Sequence, residues 1–498
     1  MNKTLLITGA LVAAPEGEAV RDVLVEGELI RRVGPVRGSD GEADPRGGDA
    51  HAIGPIRPDW EVIDGRGKVL IPGGVDAHTH ICLDTGSAVV SDDFYSGTRA
   101  AVWGGTTTLI DHPGFGPPGC PLDHQIRKYH DLARGKAVID YGFHGVVQHV
   151  DDGVIAALED LAEEGITSCK IYLTYGFKLN DGEVLRVLEK AGSAGILTTV
   201  HPENDGAIGV LRDRFIAEGK GAPRYHALSR PAECEAEAVN RMILLARLAS
   251  GAPLYIVHLS SALALEFLRQ GRIRGQKDLY AETCPQYLFL DDSRYDLPDG
   301  LKYVISPPLR TKADNEILWR ALAADIDTAA TDHCAFLFES QKILGKDDFT
   351  KCPNGAPGIE ERIPLLFSEG VGKGRISLRR FVELCSTNPA KLFGLYPRKG
   401  VIREGSDADL VLMDPAKKWT IRREGIHGNA DYSPYEGMEL RGAVDTVIAR
   451  GTVLLRNGVF NAEAGRGRFL RRGRFDSGLG AEVRTAAAPP DMGEDGRA

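Results

Sequence analysis

Apolar and polar positions alternate along this chain in two textures. Near both ends the alternation has period two and predicts short strands: "KTLLITGALVA", "VRDVLVEGELIRRVG" and "WEVIDGRGKVLIPG" within residues 1–70, then "ADLVLMD" and "AVDTVIARGTVLLRNG" between about 400 and 460. Between them, residues 71–398 alternate apolar runs with segments of helical period. Eight runs read as strands, ending near His80 and then at "GGTTTLIDH", "AVIDYGFHGVV", "ITSCKIYLTY", "GILTTVH", "APLYIVHLSS", "KDLYAETCPQY" and "DIDTAATDH". Helical patterns such as "DDFYSGTRAAVWG", "DGEVLRVLEKAG", "PAECEAEAVNRMILLARLAS" and "ADNEILWRALAA" separate them. The alternation predicts an α/β protein: a (β/α)8 TIM-like barrel at 71–398, with an open doubly wound sheet as the alternative. No G-x-G-x-x-G opens a helix after the first strand, which weighs against dinucleotide binding. The two ends, 1–70 and 399–473, are expected to join in a small discontinuous β-sandwich domain. Residues 37–60, rich in Gly, Pro and Asp, read as an exposed loop, and 474–498 as a disordered tail.

Composition narrows the choice of partner. The chain has 498 residues, 43% of them hydrophobic and 26% charged, enough for one barrel-sized core and a smaller one. A formal charge of −10, with basic residues interspersed among acidic ones, argues against nucleic acid or a membrane surface as partner and favours a small uncharged or weakly acidic substrate. The eight cysteines are scattered without a C-x-x-C, as expected of reduced thiols in a cytoplasm. The start, "MNKTLLITGALVAAPEG", imitates a weak secretory leader, but Gly9 interrupts the apolar run and strand-like alternation follows at once. It reads as a first strand. No segment approaches the ~18 consecutive apolar residues of a membrane span.

The chemistry begins at "IPGGVDAHTHICLD". Side chains of a strand alternate, so His78 and His80 project together while Thr79 faces away, a chelating arrangement. Alone, such a pair is more often a polar strand end. Lys170, His201, His258 and Asp332 also fall at or near the C-terminal ends of predicted barrel strands, where barrel active sites form. His112, His144 and His333 lie near strand ends too, and for these an ordinary hydrogen-bonded role is expected, with His333 pointing away from Asp332. Four neutral imidazoles and one carboxylate hold too little negative charge for two dications, and an ammonium at Lys170 would repel them. We therefore expect Lys170 as a neutral amine that adds carbon dioxide, giving N6-carboxylysine whose oxygens bridge two metals ~3.5–4 Å apart.

Together with "TVHPEND", "YIVHLSS", "ETCPQYL", "YVISPPLR", "ATDHC" and "KCPNGAPGIEERI", these motifs resemble the hydantoinase and dihydropyrimidinase branch of the metal-dependent amidohydrolases over almost the whole chain. The resemblance implies that His78, His80, carboxylated Lys170 and Asp332 hold one divalent metal, and that Lys170, His201 and His258 hold the second. Zinc is expected, with manganese, cobalt and iron also suited to such ligands. It further implies that Tyr175 hydrogen-bonds the carbonyl under attack, that Ser306 and Asn354 grip a cyclic ureide through their backbones, and that Asp332 shuttles the proton. The implied reaction opens 5-substituted hydantoins, aromatic and D-configured, to N-carbamoyl amino acids. Dihydropyrimidinase or allantoinase activity on another ring is the alternative, and a non-catalytic scaffold a further one; a homotetramer is implied by analogy. Cys82 stands where dihydroorotase-type relatives carry an arginine for a substrate carboxylate, so an uncharged ring is expected. Leu83, Val89, Val90, Phe94, Phe115 and Phe177 are the candidate apolar wall.

Overall fold

A computed structural model of the protein describes residues 4–35 and 53–476. Residues 37–52 of the expected loop and 477–498 of the expected tail lie outside the described residues. The eight apolar runs of the centre form parallel strands in chain order: Gly74–Thr79, Thr106–Asp111, Asp140–Phe143 (continued by Gly145–Val146), Ser168–Tyr172, Leu197–His201, Leu254–Ile256, Leu279–Thr283 and Thr328–Ala329. Residues at the end of the last strand close the ring on the first: Thr79 bridges His333, and the Asp332 amide donates to the His78 carbonyl at 2.9 Å. This is a (β/α)8 barrel. Its strands are buried on both faces because helices cover the outside, which explains why they show no alternation of apolar with exposed polar positions.

Local chemistry starts and stops the helices. Helix Phe94–Trp103 opens at a capping box between Asp93 and Ser96, and helix Asp181–Ser193 at one between Asn180 and Glu183, so first-turn N–H groups find acceptors. Gly73 lies where the small sheet passes into the first barrel strand; a Cβ there would lie 2.1 Å from Thr107 Oγ1. Only glycine fits so close an approach.

Strands from both ends of the chain share one nine-stranded sheet. Leu410–Thr420 pairs with Val69–Pro72, which runs parallel to Thr4–Ala14; that strand forms a hairpin with Gly17–Glu26. The sheet folds over its own core of Leu5, Ile7, Val23, Leu70, Leu412 and Ile448 as a β-sandwich beside the barrel. After it, the chain runs along the barrel from Gly467, whose amide donates to Ala137, to Phe475, whose amide donates to Gly195. No helix among the described residues is long and apolar enough to cross a membrane.

Candidate metal centre and substrate cavity

Strand ends deliver the chemistry to one mouth of the barrel. Nε2 of His78 and Nε2 of His80 face the same Asp332 oxygen at 3.1 and 3.2 Å. Lys170, from the fourth strand, places Nζ 3.4 Å from His78 Nε2, and His201 Nδ1 meets His258 Nε2 at 2.9 Å. These six residues line a cavity of about 330 Å³ together with Tyr175, Ser306 and Asn354, so all nine expected site residues converge. Asn354 Nδ2 donates to Ser306 Oγ at 3.0 Å. Tyr175, His258 and Asp332 adopt φ of +74°, +39° and +53°. Non-glycine residues held in that region carry strain that the surrounding fold must sustain, a feature concentrated at functional sites.

The donors fit metal ions. Imidazole nitrogens facing each other and a buried amine are mutually unfavourable unless a cation or proton lies among them. Burial pushes Lys170 down to about 8 and His80 down to about 4, and it holds His258 well below the usual imidazole range, so these groups tend toward their neutral, ligating forms. Asp332 resists the upward push of burial: His78 and His80 hold its carboxyl well below the usual range, leaving an anion.

A further layer aims the ligands. Glu282 accepts from His78 Nδ1, from Tyr255 Oη at 2.8 Å and from the His258 amide at 3.1 Å. With Nδ1 thus occupied, the His78 Nε2 lone pair must face the cavity. Glu203 does the same for His201, accepting from Nε2 at 2.7 Å while Arg230 steadies it at 2.6 Å; Arg230 and His201 together hold its carboxyl at about 2 against the push of burial. Lys342 is fully buried, and its ammonium donates to the carbonyls of Val304, Pro353 and Gly355 at 2.9, 2.9 and 2.7 Å. It ties together the two loops that carry Ser306 and Asn354. Sequence reading missed Glu282, Tyr255, Glu203, Arg230 and Lys342. Glu203, two residues after His201 in "HPEND", had a legible signal; Glu282 and Lys342 act from other strands and loops and had none.

The three histidines given an ordinary role divide. His144 is paired through Nε2 to the Ala77 carbonyl at 2.9 Å and through Nδ1 to Ser168 Oγ at 2.7 Å, and His333 turns away to Asp92 at 3.1 Å. His112 has no hydrogen-bond partner at either ring nitrogen among the described residues. The expectation of a satisfied side chain fails there.

The sequence profile of the amidohydrolase family matches residues 69–253 and 299–454. The chain belongs to that family. It is 50% identical over 472 residues to a D-phenylhydantoinase of Escherichia coli O1:K1, covering 95% of this chain and 98% of that protein. Among solved structures, a dihydropyrimidinase from Brevibacillus agri superposes with a TM-score of 0.89 at 43% identity, covering 95% of this chain and 99% of the other. A D-hydantoinase from Bacillus sp. AR9 superposes with a TM-score of 0.88 at 44% identity, covering 95% and 100%. The family is generally metal-dependent, and the donor set above suits such a centre.

Of the expected apolar wall, Leu83, Phe115 and Phe177 line the cavity, the two phenylalanines stacked with centroids 3.4 Å apart. Phe94 does not: it faces inward from its helix against Tyr129, Tyr141 and Phe143. Val89 is half exposed and Val90 packs behind Leu83. Loop residues obey no period that would assign them a face. Tyr172 and Phe336 complete the wall instead.

Proposed function

We propose that the protein is a metal-dependent cyclic amidohydrolase that opens 5-substituted hydantoins, preferentially aromatic and D-configured, to N-carbamoyl amino acids. The observation that carries this reading is the convergence of His78, His80, Lys170, His201, His258 and Asp332 at the mouth of one barrel cavity with an aromatic wall. Its similarity to a D-phenylhydantoinase and a D-hydantoinase supports the substrate class.

His78, His80, Lys170 and Asp332 would hold one divalent ion, and Lys170, His201 and His258 a second, zinc first among the candidates. Lys170 would serve there as a carbamate: its neutral amine adds carbon dioxide, forming an N–C bond and releasing one proton, so that a neutral donor becomes an anionic one. Bound divalent ions supply Lewis acidity, acidifying a water and polarising the carbonyl under attack. Asp332 accepts the proton of the attacking water and returns it to the departing ring nitrogen. The Tyr175 hydroxyl donates to the developing oxyanion, worth ~3–4 kcal/mol for one well-placed donor. Backbone groups at Ser306 and Asn354 fix the ring, and the Leu83, Phe115 and Phe177 wall receives the substituent at carbon five. With Cys82 half-buried and burial pushing its thiol up to about 12, nothing at that position offers a cation to a substrate carboxylate.

Turnover of phenylhydantoin, dihydrouracil and allantoin by one preparation loaded with zinc or manganese and bicarbonate tests the assignment. Phenylhydantoin should be turned over fastest. A dominant rate on dihydrouracil or allantoin would reassign the ring, and no rate on any of them would return the scaffold alternative. Asp332→Asn should retain most of the metal while kcat falls ~10²–10⁴-fold, the usual scale for general acid–base catalysis. We further infer a division of the chain at about residues 70 and 399 into sandwich and barrel, supported by a core of Leu5, Ile7, Val23, Leu70, Leu412 and Ile448 confined to the sandwich, while Val411, Met413 and Val447 on the sheet's other face pack with the barrel core. A cytoplasmic location is supported by eight cysteines without disulfide partners. A homotetramer is proposed by family analogy and is checked by light scattering.

A further inference from the structure

Between the sandwich strands Leu410–Thr420 and Glu439–Ala449, residues 421–438 leave the sheet and reach the loops at the mouth of the barrel. The excursion is pinched at its neck, where the Ile421 amide donates to the Met438 carbonyl and the Gly437 amide to the Ile421 carbonyl, both at 2.9 Å. Its tip is anchored on the barrel. Asn429 donates through its amide to Asp92 at 2.8 Å and through Nδ2 to the Ser91 carbonyl at 3.0 Å, and Tyr432 Oη donates to the Lys302 carbonyl at 3.2 Å. Between these anchors, the two carboxylate oxygens of Asp431 accept from the consecutive amides of Phe338 and Glu339, at 2.7 and 2.9 Å. Hydrogen bonds to a charged acceptor are roughly twice as strong as neutral ones, so this is the firmest hold on that turn.

The turn follows the segment that brings Phe336 to the cavity. Residues 334–337 lie in neither helix nor strand, so no ladder of backbone bonds fixes them. They are held by side chains instead. Ser91 donates through both its amide and its hydroxyl to the Ala335 carbonyl, at 2.7 and 2.9 Å, the Leu337 amide donates to Gln341 Oε1 at 2.7 Å, and Asp431 takes the next two amides. Phe336, 1% exposed, packs with Leu83, Val90 and Cys334, and it lines the cavity with Leu83. Asp332 is fixed otherwise, by its amide on the His78 carbonyl.

We propose that Asp431, although it belongs to the sandwich, is a positioning residue for substrate selection, holding Phe336 against Leu83 as part of the wall that receives the substituent at carbon five. This inference rests on the proposed hydantoin-opening reaction and adds to it a determinant of specificity outside the barrel. Without the Asp431 carboxylate, two amides lose their acceptor and the backbone on the far side of Phe336 is released. The apolar contact with a bulky substituent loosens, while the groups that act on the ring keep their places.

The test uses the full-length, metal-loaded protein as wild type, Asp431→Ala, Asp431→Asn, Phe336→Ala and the double variant of Asp431→Ala with Phe336→Ala. Each is assayed on 5-phenylhydantoin and on unsubstituted hydantoin, which carries nothing to place against the wall. In Asp431→Ala, KM for 5-phenylhydantoin should rise about tenfold at nearly constant kcat, within the range over which an apolar pocket discriminates. Unsubstituted hydantoin should keep its kcat/KM, and metal content should not change. Asp431→Asn keeps one acceptor oxygen and should shift selectivity in the same direction by less; it carries the test if the alanine variant does not fold. Because Asp431 acts through Phe336, the two substitutions should not add: in the Phe336→Ala background, Asp431→Ala should change selectivity little. An equal fall on both substrates, wild-type selectivity in Asp431→Ala, or fully additive effects in the double variant would overturn the positioning role and leave the proposed function standing. Wild-type protein that opens neither hydantoin would overturn both.

Discussion

Lys399, where the barrel meets the small sheet, and Lys170, at the mouth of the cavity, are 2% and 1% exposed, yet their surroundings are opposite. Lys399 Nζ lies 2.8 Å from Asp140, 2.8 Å from Asp409 and 3.0 Å from Asp407, with Arg450 adding a second cation at 3.1 Å from Asp140. Those carboxylates raise its pKa well above the usual lysine range. Lys170 meets imidazoles, and no ion pair holds it among the described residues, so burial lowers it to about 8. One buried lysine is compensated by neighbouring anions and serves the architecture. The other is left under-compensated, a state that costs stability and makes the amine available for chemistry.

The largest expected effect breaks the comparison at Lys170. Lys170→Met removes the bridging anion of the proposed centre, so both ions should be lost and activity should fall by ~10³-fold or more, since the Lewis acidity lost is worth several kcal/mol. Because a neutral side chain replaces an under-compensated amine, the metal-free variant should melt no lower than metal-free wild type. Elemental analysis and calorimetry measure both; a variant that kept its metal and its rate would remove Lys170 from the centre. Lys399→Met should do the reverse. It leaves Asp140, Asp407 and Asp409 with too little positive charge, a loss on the order of 3–5 kcal/mol in denaturant titration. The kcat/KM of the protein that remains folded should stay near wild type.

The same contrast explains what could be read from the chain. Buried parallel strands write themselves as apolar runs, so the eight barrel strands and the histidines, lysine and aspartate at their ends were visible from "GGVDAHTH" to "ATDHC". The β strands at the two ends were visible through their alternation. The compensating groups were not. Lys399 and Asp140 are 259 positions apart, as His78 and Glu282 are 204 apart, and no local pattern joins such partners. His112 shows the limit from the other side: its strand-end position was legible, but its lack of a partner belongs to the packed fold. Phe94 misled because an aromatic residue at the start of a helix reads the same whether it faces the core or a cavity.

A third buried lysine sharpens the comparison. Lys342 is compensated by carbonyl oxygens of Val304, Pro353 and Gly355, so its charge is solvated by the loops it organises. Lys342→Met should leave metal content intact and raise KM more than it lowers kcat, because the loops bearing Ser306 and Asn354 lose their common tie. A misplacement of binding groups by about 1 Å can cost ~10²-fold, so kcat/KM should fall by ~10- to 100-fold. An equal fall in metal occupancy would instead place Lys342 in support of the metal centre.

The smallest expected effect concerns a buried carboxyl that is neither paired with a cation nor left to a metal. Glu361 accepts from Ser433 Oγ at 2.6 Å, and burial, followed by the neighbouring Glu360, pushes it up to about 7. Because the folded-state pKa is raised above the unfolded value, the folded protein holds this proton more firmly over that interval. The stabilisation is complete below the unfolded value and is lost as pH rises through about 7. Glu361→Gln removes the titrating proton and keeps an acceptor for Ser433. Between about pH 5.5 and 8 the wild type should therefore lose about 1–2 kcal/mol more stability than the variant, measured by paired denaturant titrations. Parallel pH profiles would mean that the Glu361 carboxyl is already ionised in the fold, and that this site too is compensated by charge as Lys399 is.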